Sequence, residues 1–299
     1  LRTVWDAVTA YDGSAVHATI ADLRVPRTLL GIAVGAALGV AGALIQALTR
    51  NPLADPGVLG VNAGAGFAVA LAVAAFGVTR IDQYLWFAFA GAVAATIAVY
   101  AIAAQGHRAP TPLRLTLVGV AFGAVLTGVA QTLALTDPRT FDRMRFWGAG
   151  TIADRPQGTL GAILPWLVAG LVIAAVCAHP LNALALGEEH ARSVGALIGP
   201  TRAGVVLAVT LLCGAATAAA GPIAFVGLMV PHAVRRLTGP DQRWIIGVSA
   251  VAGSVVLLSA DVIGRLIVVP AELQAGIVTA FVGAPVLIVL ARRAKAGAL

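Results

Sequence analysis

Long stretches without charged side chains recur along the whole chain, and short segments that hold the arginines and carboxylates separate them. A helix needs about 20 mostly apolar residues to cross the hydrocarbon core of a bilayer. The pattern therefore predicts an all-α integral membrane protein that forms a single polytopic helix bundle over residues 1–299. The stretches are Thr28–Thr49, Gly57–Thr79, Gln83–Gly106, Leu115–Thr136, Pro156–Ala178, Ala203–Val234, Trp244–Ala260 and Leu273–Ala291.

The stretch Ala203–Val234 is too long for one crossing. As a helix it would measure about 48 Å, whereas the hydrocarbon core is roughly 30 Å thick. The pair Gly221-Pro222 interrupts it, and such a pair is typical of a break between helices. Division at this point gives nine predicted transmembrane helices, so the two ends of the sequence are expected on opposite sides of the membrane.

Two connections are longer than simple turns. The segment 136–155 is amphipathic, and we expect it on the extracytoplasmic surface, whereas the segment 179–202 is expected in the cytoplasm. The basic clusters Arg235-Arg236 and Arg292-Arg293-Lys295 favour a cytoplasmic C-terminus, because cytoplasmic loops carry an excess of Lys and Arg.

Composition supports the membrane interpretation, since 59% of the residues are hydrophobic and 11% are charged, against about 25% charged in soluble domains. The net charge of +7 does not indicate nucleic-acid binding. The arginines lie in short loops between apolar stretches, where they are typical of helix ends and lipid head groups. Cys177 and Cys213 lie within apolar stretches and are not at metal-ligand spacing.

Lysine occurs once, as Lys295 between two alanines. A phosphate-binding P-loop needs G-x-x-x-x-G-K-[ST], because its lysine must reach the nucleotide phosphates. The chain therefore carries no P-loop ATPase. It also lacks an HExxH motif, a pair of catalytic carboxylates and a Ser/His/Asp pattern, so we expect no enzyme, no metal site and no cofactor in this chain.

Five segments along the chain carry recognisable motifs. They are 24–29 (RVPRTL), 51–61 (NPLADPGVLGV), 185–195 (ALGEEHARSVG), 221–232 (GPIAFVGLMVPH) and 260–285, which begins Ala260-Asp261 and includes Arg265, Glu272 and Pro285. Together and in this order, they resemble the FecCD-type permeases. The resemblance implies a membrane subunit of a type II ABC importer for ferric siderophores, haem or vitamin B12. Such subunits usually have ten helices, so we expect the first to be absent from this sequence.

The resemblance also assigns roles to residues at the two membrane surfaces. It implies that Arg24, Arg27 and Arg265 dock carboxylates of an extracytoplasmic substrate-binding protein, and arginine suits this because its planar fork pairs bidentately with a carboxylate. Asn51 and Leu53 would form a cytoplasmic gate. On the residues alone, the arginines are equally consistent with interfacial side chains, and the loop 51–57 with a rigid turn.

The segment 185–195 is predicted to form a short amphipathic helix, in which Glu188 and Arg192 stand at i and i+4. On the residues alone it is a solvated loop helix, whereas the resemblance makes it the coupling segment that contacts an ATPase subunit. The translocation pathway would run along the helix 115–135 at the interface of two subunits. The residues so assigned are Leu186, Gly187, Glu188, Glu189, Arg192 and Gly195 for coupling, and Gly119, Gly123, Gly128 and Gln131 for the pathway.

The sequence thus predicts a multi-pass permease subunit in the bacterial cytoplasmic membrane. Its expected partners are a second permease subunit, two ATP-binding cassette subunits that bind ATP and Mg²⁺, and a substrate-binding protein. An ion-coupled secondary transporter is the alternative, although such proteins usually place carboxylates at mid-membrane. Asp261 and Glu272 instead lie near predicted helix ends, where we expect structural roles.

Overall fold

The computed structural model of the protein describes residues 2–78, 80–105 and 111–296, and all regular elements within these ranges are helical. The all-α prediction is confirmed. The helices are α1 Arg2–Thr9, α2 Ala15–Ala18, a π-helical turn Thr19–Arg24, α3 Val25–Thr49, a 3-10 turn Pro56–Leu59, α4 Val61–Phe76, α5 Ile81–Ala103, α6 Pro112–Thr136, α7 Pro138–Gly148, α8 Thr159–Ala185, α9 Glu188–Ser193, α10 Ile198–Ala220, α11 Val226–Thr238, α12 Gln242–Ile267 and α13 Ala275–Ala296.

Six of the helices are long and apolar enough to cross a membrane, namely α3 with the helical residues before it, α5, α6, α8, α10 and α12. The predicted division of the stretch 203–234 is confirmed, because α10 ends at Ala220 and α11 begins at Val226. However, α11 has 13 residues, or about 20 Å, so it cannot cross the core alone as the nine-helix count requires. The predicted helix ends at Thr79 and Gly106 lie outside the described residues.

The short helices α4 and α11 each follow an irregular segment that packs inside the bundle. Pro56 and Leu59 of the first segment are buried, and Pro56 lies against Gly227 at the start of α11. Gly119 of α6 contacts the backbone of Val58. Irregular backbone is tolerated within a membrane protein where other protein covers it, and the bundle covers Pro56 and Leu59 in this way.

The buried helix α3 packs against α12 through small residues. A Cβ at Gly35 would lie 2.6 Å from the carbonyl oxygen of Gly253, which shows that the two backbones are in direct contact. Gly39 meets Ser249 in the same way, and Ser254 Oγ donates to the Ile32 carbonyl at 2.7 Å. The repeated glycines of α3 therefore serve the close helix approach that small residues permit in lipid.

The contacts between helices define two ends of the bundle. Residue numbers fall along α12 as they rise along α3, so these helices are antiparallel, and α8 and α10 are antiparallel as well. The end of α8 meets the start of α12, where Asn182 Nδ2 donates to Asp241 at 2.7 Å. We call this end, which also holds α9 and the end of α3, the α9 end. The opposite end holds the start of α3 and the end of α12, and we call it the Arg27 end.

Candidate functional site

Four charged side chains form an ion-pair cluster at the Arg27 end. Arg27 donates from Nε to Asp261 Oδ2 at 3.1 Å and from Nη2 to Oδ1 at 2.7 Å, and its Nη2 lies 2.8 Å from Glu272. Arg265 Nη2 lies 3.2 Å from Asp261. Because the Asp261 side chain is only 3% exposed, these two guanidinium groups compensate a charge that would be costly to bury alone.

The three arginines assigned to docking meet at this end but have different surroundings. Arg24 is exposed, and no carboxylate of the described residues lies within 4.0 Å of its guanidinium group. Arg27 is 18% exposed and its fork is occupied by Asp261, whereas Arg265 is 37% exposed and shares the same carboxylate. Arg24 is thus open to a partner, while Arg27 mainly holds α3 to α12.

A cavity of about 650 Å³ opens beside the cluster. The π-helical turn and the start of α3 form one wall, and the loop that leads into α8 forms the other. Its charged lining consists of four arginines and three carboxylates, so it is mixed with a small positive excess. These residues are Arg24, Arg27, Arg155, Arg265, Asp22, Asp154 and Glu272.

Arg155 in the wall of the cavity was not singled out by the sequence. Its Nη2 donates to the carbonyl oxygens of Thr151 at 2.9 Å and Ala220 at 3.1 Å. Burial lowers the pKa of Arg155, because low dielectric surroundings disfavour the charged form. The side chain thereby ties the loop before α8 to the last residue of α10, a long-range contact that had no signal in the sequence.

The loop assigned to the gate is a rigid turn at the α9 end. Arg50 has a left-handed φ of 50° and ends α3, and the Asn51 side chain accepts from the Leu53 backbone N–H at 3.0 Å. Asp55 accepts from the Gly57 N–H at 2.8 Å and so caps the 3-10 turn. Asn51 is exposed and Leu53 is half-buried at this surface of the bundle.

The residues assigned to coupling lie together in and beside α9, the predicted short helix, at the α9 end. Leu186 is 70% exposed, and the flanking Gly187 and Gly195 have φ of 111° and 77°, values that favour glycine. Glu189 is exposed as well. This segment therefore presents exposed side chains from a short helix that a glycine bounds at each end.

Glu188 forms two ion pairs at this segment. The predicted i, i+4 partner Arg192 is 3.6 Å away and 68% exposed, so that pair contributes little. The stronger partner is Arg202 near the start of α10, whose Nη2 donates to Glu188 Oε1. Because Arg202 is 14 residues further along the chain, the i, i+4 pattern does not reveal it.

The helix assigned to the pathway, α6, leaves most of its length uncovered. Gly128 has open space around its Cα, Gln131 is exposed, and Gly123 is half-buried. Gly119 differs, since it is buried against Val58 of the 3-10 turn. It is therefore a packing residue in this conformation and not part of an open lining.

The sequence pattern of the FecCD transport family matches residues 1–293. The ferric enterobactin transport system permease protein FepD of Escherichia coli strain K12 is 48% identical over 295 residues, which cover 98% of this chain and 88% of that protein. The iron(3+)-hydroxamate import system permease protein FhuB of Bacillus subtilis strain 168 is 39% identical over 299 residues, covering 99% of this chain and 77% of that protein.

A solved structure has the same fold. It is a metal-chelate type ABC transporter in an inward-facing conformation, with a TM-score of 0.85 and 24% sequence identity. The match covers 98% of this chain and 96% of that one. The order and packing of the helices described above are therefore shared with that transporter chain.

Proposed function

Because this chain belongs to the FecCD transport family, we propose that it is the membrane-spanning permease subunit of an ATP-driven importer for a ferric siderophore or a similar metal chelate. The observation that carries the proposal is the near full-length similarity to the ferric enterobactin permease. A ferric catecholate siderophore is accordingly the first substrate to test.

The two ends of the bundle suit two different partners. At the Arg27 end, Arg24 projects beside a cavity of mixed charge, which suits docking of a substrate-binding protein through its carboxylates. At the α9 end, the exposed segment from Leu186 to Gly195 suits docking of an ATPase subunit. The proposal places the Arg27 end outside and the α9 end in the cytoplasm of a bacterium.

The chain itself does no bond chemistry in this proposal. ATP and Mg²⁺ bind to the two ATPase subunits, and a second permease subunit, either another copy or a paralogue, completes the channel. The uncovered face of α6 leaves room for such a pairing, because Leu117, Val120 and Val125 are about three-fifths exposed in the single chain. Asn51 and Leu53 would close the pathway at the α9 end.

Transport by the complete complex tests the proposal. The permease, the ATPase subunits and the binding protein encoded with it would be reconstituted in vesicles, and the uptake of iron-labelled ferric enterobactin would be measured. We expect uptake that requires ATP and persists when a protonophore collapses the proton gradient. Uptake that stops with the gradient while ATP is held constant would favour an ion-coupled secondary transporter and overturn the proposal.

A further inference from the structure

An arginine side chain fixes helix α10 at each of its two ends. Near its start, Arg202 is 8% exposed and forms the ion pair with Glu188 of α9. At its last residue, the carbonyl oxygen of Ala220 accepts from Arg155 Nη2 at 3.1 Å and from the Thr151 N–H at 2.7 Å. One helix therefore contacts both the segment at the α9 end and the wall of the cavity at the Arg27 end.

The helix between these two contacts is held on nearly all sides. Of its 23 residues, 17 are buried, and it packs against α3, α5 and α8. The rise from Arg202 to Ala220 is about 27 Å. Because protein interiors are close-packed and of low compressibility, a displacement at one end of such a helix moves the other end with it.

The short helix α9 depends on neighbouring elements for its position. It has six residues, far fewer than the roughly 12 that an isolated helix needs to be even marginally stable in water. Ala191 is its buried residue, and the charged contact with a core helix is the pair of Glu188 with Arg202. Since Arg202 is nearly inaccessible, this ion pair is less screened by solvent than the pair with Arg192.

We propose that Arg202 is a positioning residue, whose ion pair with Glu188 fixes α9 to α10 so that movement imposed on α9 is passed to the cavity at the opposite end. The inference rests on the proposed function, because it requires an ATPase subunit that moves α9. Linkage makes the effect reciprocal, so a binding protein docked at the cavity would alter the conformation that the ATPase subunit meets.

Three variants of the complete complex separate coupling from stability. Glu188→Gln leaves Arg202 unpaired in a nearly inaccessible site, which destabilises the fold, whereas Arg202→Gln leaves Glu188 with only its exposed partner Arg192. The double variant Glu188→Gln/Arg202→Gln removes both charges, so we expect normal assembly with the ATPase subunits. We define the transport ratio as the amount of ferric enterobactin transported per ATP hydrolysed. If the pair couples the two ends, this ratio falls about five- to tenfold in the double variant even though the complex assembles.

Arg139→Gln is the control, because it removes an exposed arginine of α7 that lies neither in the segment 185–195 nor in the wall of the cavity, and it should leave the transport ratio unchanged. The charge-swapped variant Glu188→Arg/Arg202→Glu restores an ion pair, so its transport ratio should be close to that of the wild type. If the double variant does not assemble, the swapped variant tests the coupling instead. A wild-type ratio in the double variant, or a swapped variant no better than the double variant, would overturn the inference. Absence of ATP-driven uptake by the wild-type complex would instead count against the proposed function.

Discussion

At the scale of single residues, the buried carboxylate of Asp261 decides what each nearby arginine can do. Removing one partner of a buried ion pair leaves an uncompensated charge, and this costs more than the pair gains. Arg27 is bound to Asp261 through two nitrogens, so it is committed to the contact between α3 and α12. Arg24 is exposed and has no such partner among the described residues, so its charge is available for recognition.

Charge reversal should therefore have different effects at the two positions. We expect Arg24→Glu to slow association with the substrate-binding protein about tenfold at low salt, because charges at the rim of an interface steer encounter, and to leave thermal stability unchanged. Arg27→Glu should lower the free energy of unfolding by at least about 2 kcal/mol. The association rate is measured by the binding of the substrate-binding protein to surface-immobilised complex. The change in stability is measured by thermal unfolding in detergent.

Arg139→Glu is the control for net charge, since Arg139 is exposed on α7 and does not line the cavity. It should change neither association nor stability. Docking through Arg24 is contradicted if Arg24→Glu associates with the substrate-binding protein at the wild-type rate at low salt. The structural role of Arg27 is contradicted if Arg27→Glu unfolds at the wild-type temperature.

At the scale of helices, the contact between α3 and α12 depends on the absence of side chains. We expect Gly35→Ala to lower the free energy of unfolding by about 1–3 kcal/mol, because its Cβ would press on the backbone of Gly253 and Ser254. Gly247→Ala on α12 is the control, since a Cβ there meets nothing within 4 Å. We expect the melting temperature of Gly35→Ala to be below that of the wild type and that of Gly247→Ala to equal or exceed it. The reverse order would contradict the close contact of α3 with α12.

The start of α12 should make stability depend on pH. A side-chain hydrogen bond from Asn182 and a backbone hydrogen bond from Arg243 lower the pKa of Asp241, which caps this helix. A lowered folded-state pKa contributes stability above the ordinary value of about 3.9, and this contribution is lost as the pH falls through the folded-state value. Asn also caps helices well, so Asp241→Asn keeps the cap without the titration.

Melting temperatures of the wild type and of Asp241→Asn would be compared from about pH 7 to about pH 3. We expect the wild type to lose more stability than the variant over the acidic part of this range, because only the wild type has this carboxylate to protonate. Curves that stay parallel throughout would show that Asp241 adds nothing to the acid sensitivity.

Elements were easier to predict from the sequence than contacts. Apolar length placed the helices, and Gly221-Pro222 marked the break before α11, because these signals are local. The pair of Arg27 with Asp261 joins residues 234 positions apart, and the bond from Arg155 to Ala220 joins residues 65 apart. Such contacts depend on how helices pack, so they became visible only in the folded chain.

At the scale of the whole molecule, much of the apolar surface needs a cover that the chain does not supply. Leu117 and Val125 on α6 and Val176 on α8 are each more than three-fifths exposed. Exposed apolar patches of this kind mark contacts with lipid or with other proteins. Exposure in the single chain does not distinguish a face that contacts lipid from one that contacts another subunit or lines a pathway. Access of water to each face in the complete complex distinguishes a pathway face from a face that lipid covers.

Cysteine labelling can separate a pathway face from a lipid face. We expect Gln131→Cys on α6 to react with a membrane-impermeant maleimide in at least one transport state, because a thiol must ionise in water to react. Val176→Cys on α8 should stay unlabelled in every state, since we expect lipid to cover it. Background should be low, because Cys177 and Cys213 are 6% and 2% exposed. If Gln131→Cys is also unlabelled with and without ATP, α6 does not line the pathway, and its uncovered face must be assigned to contact with lipid or with another subunit.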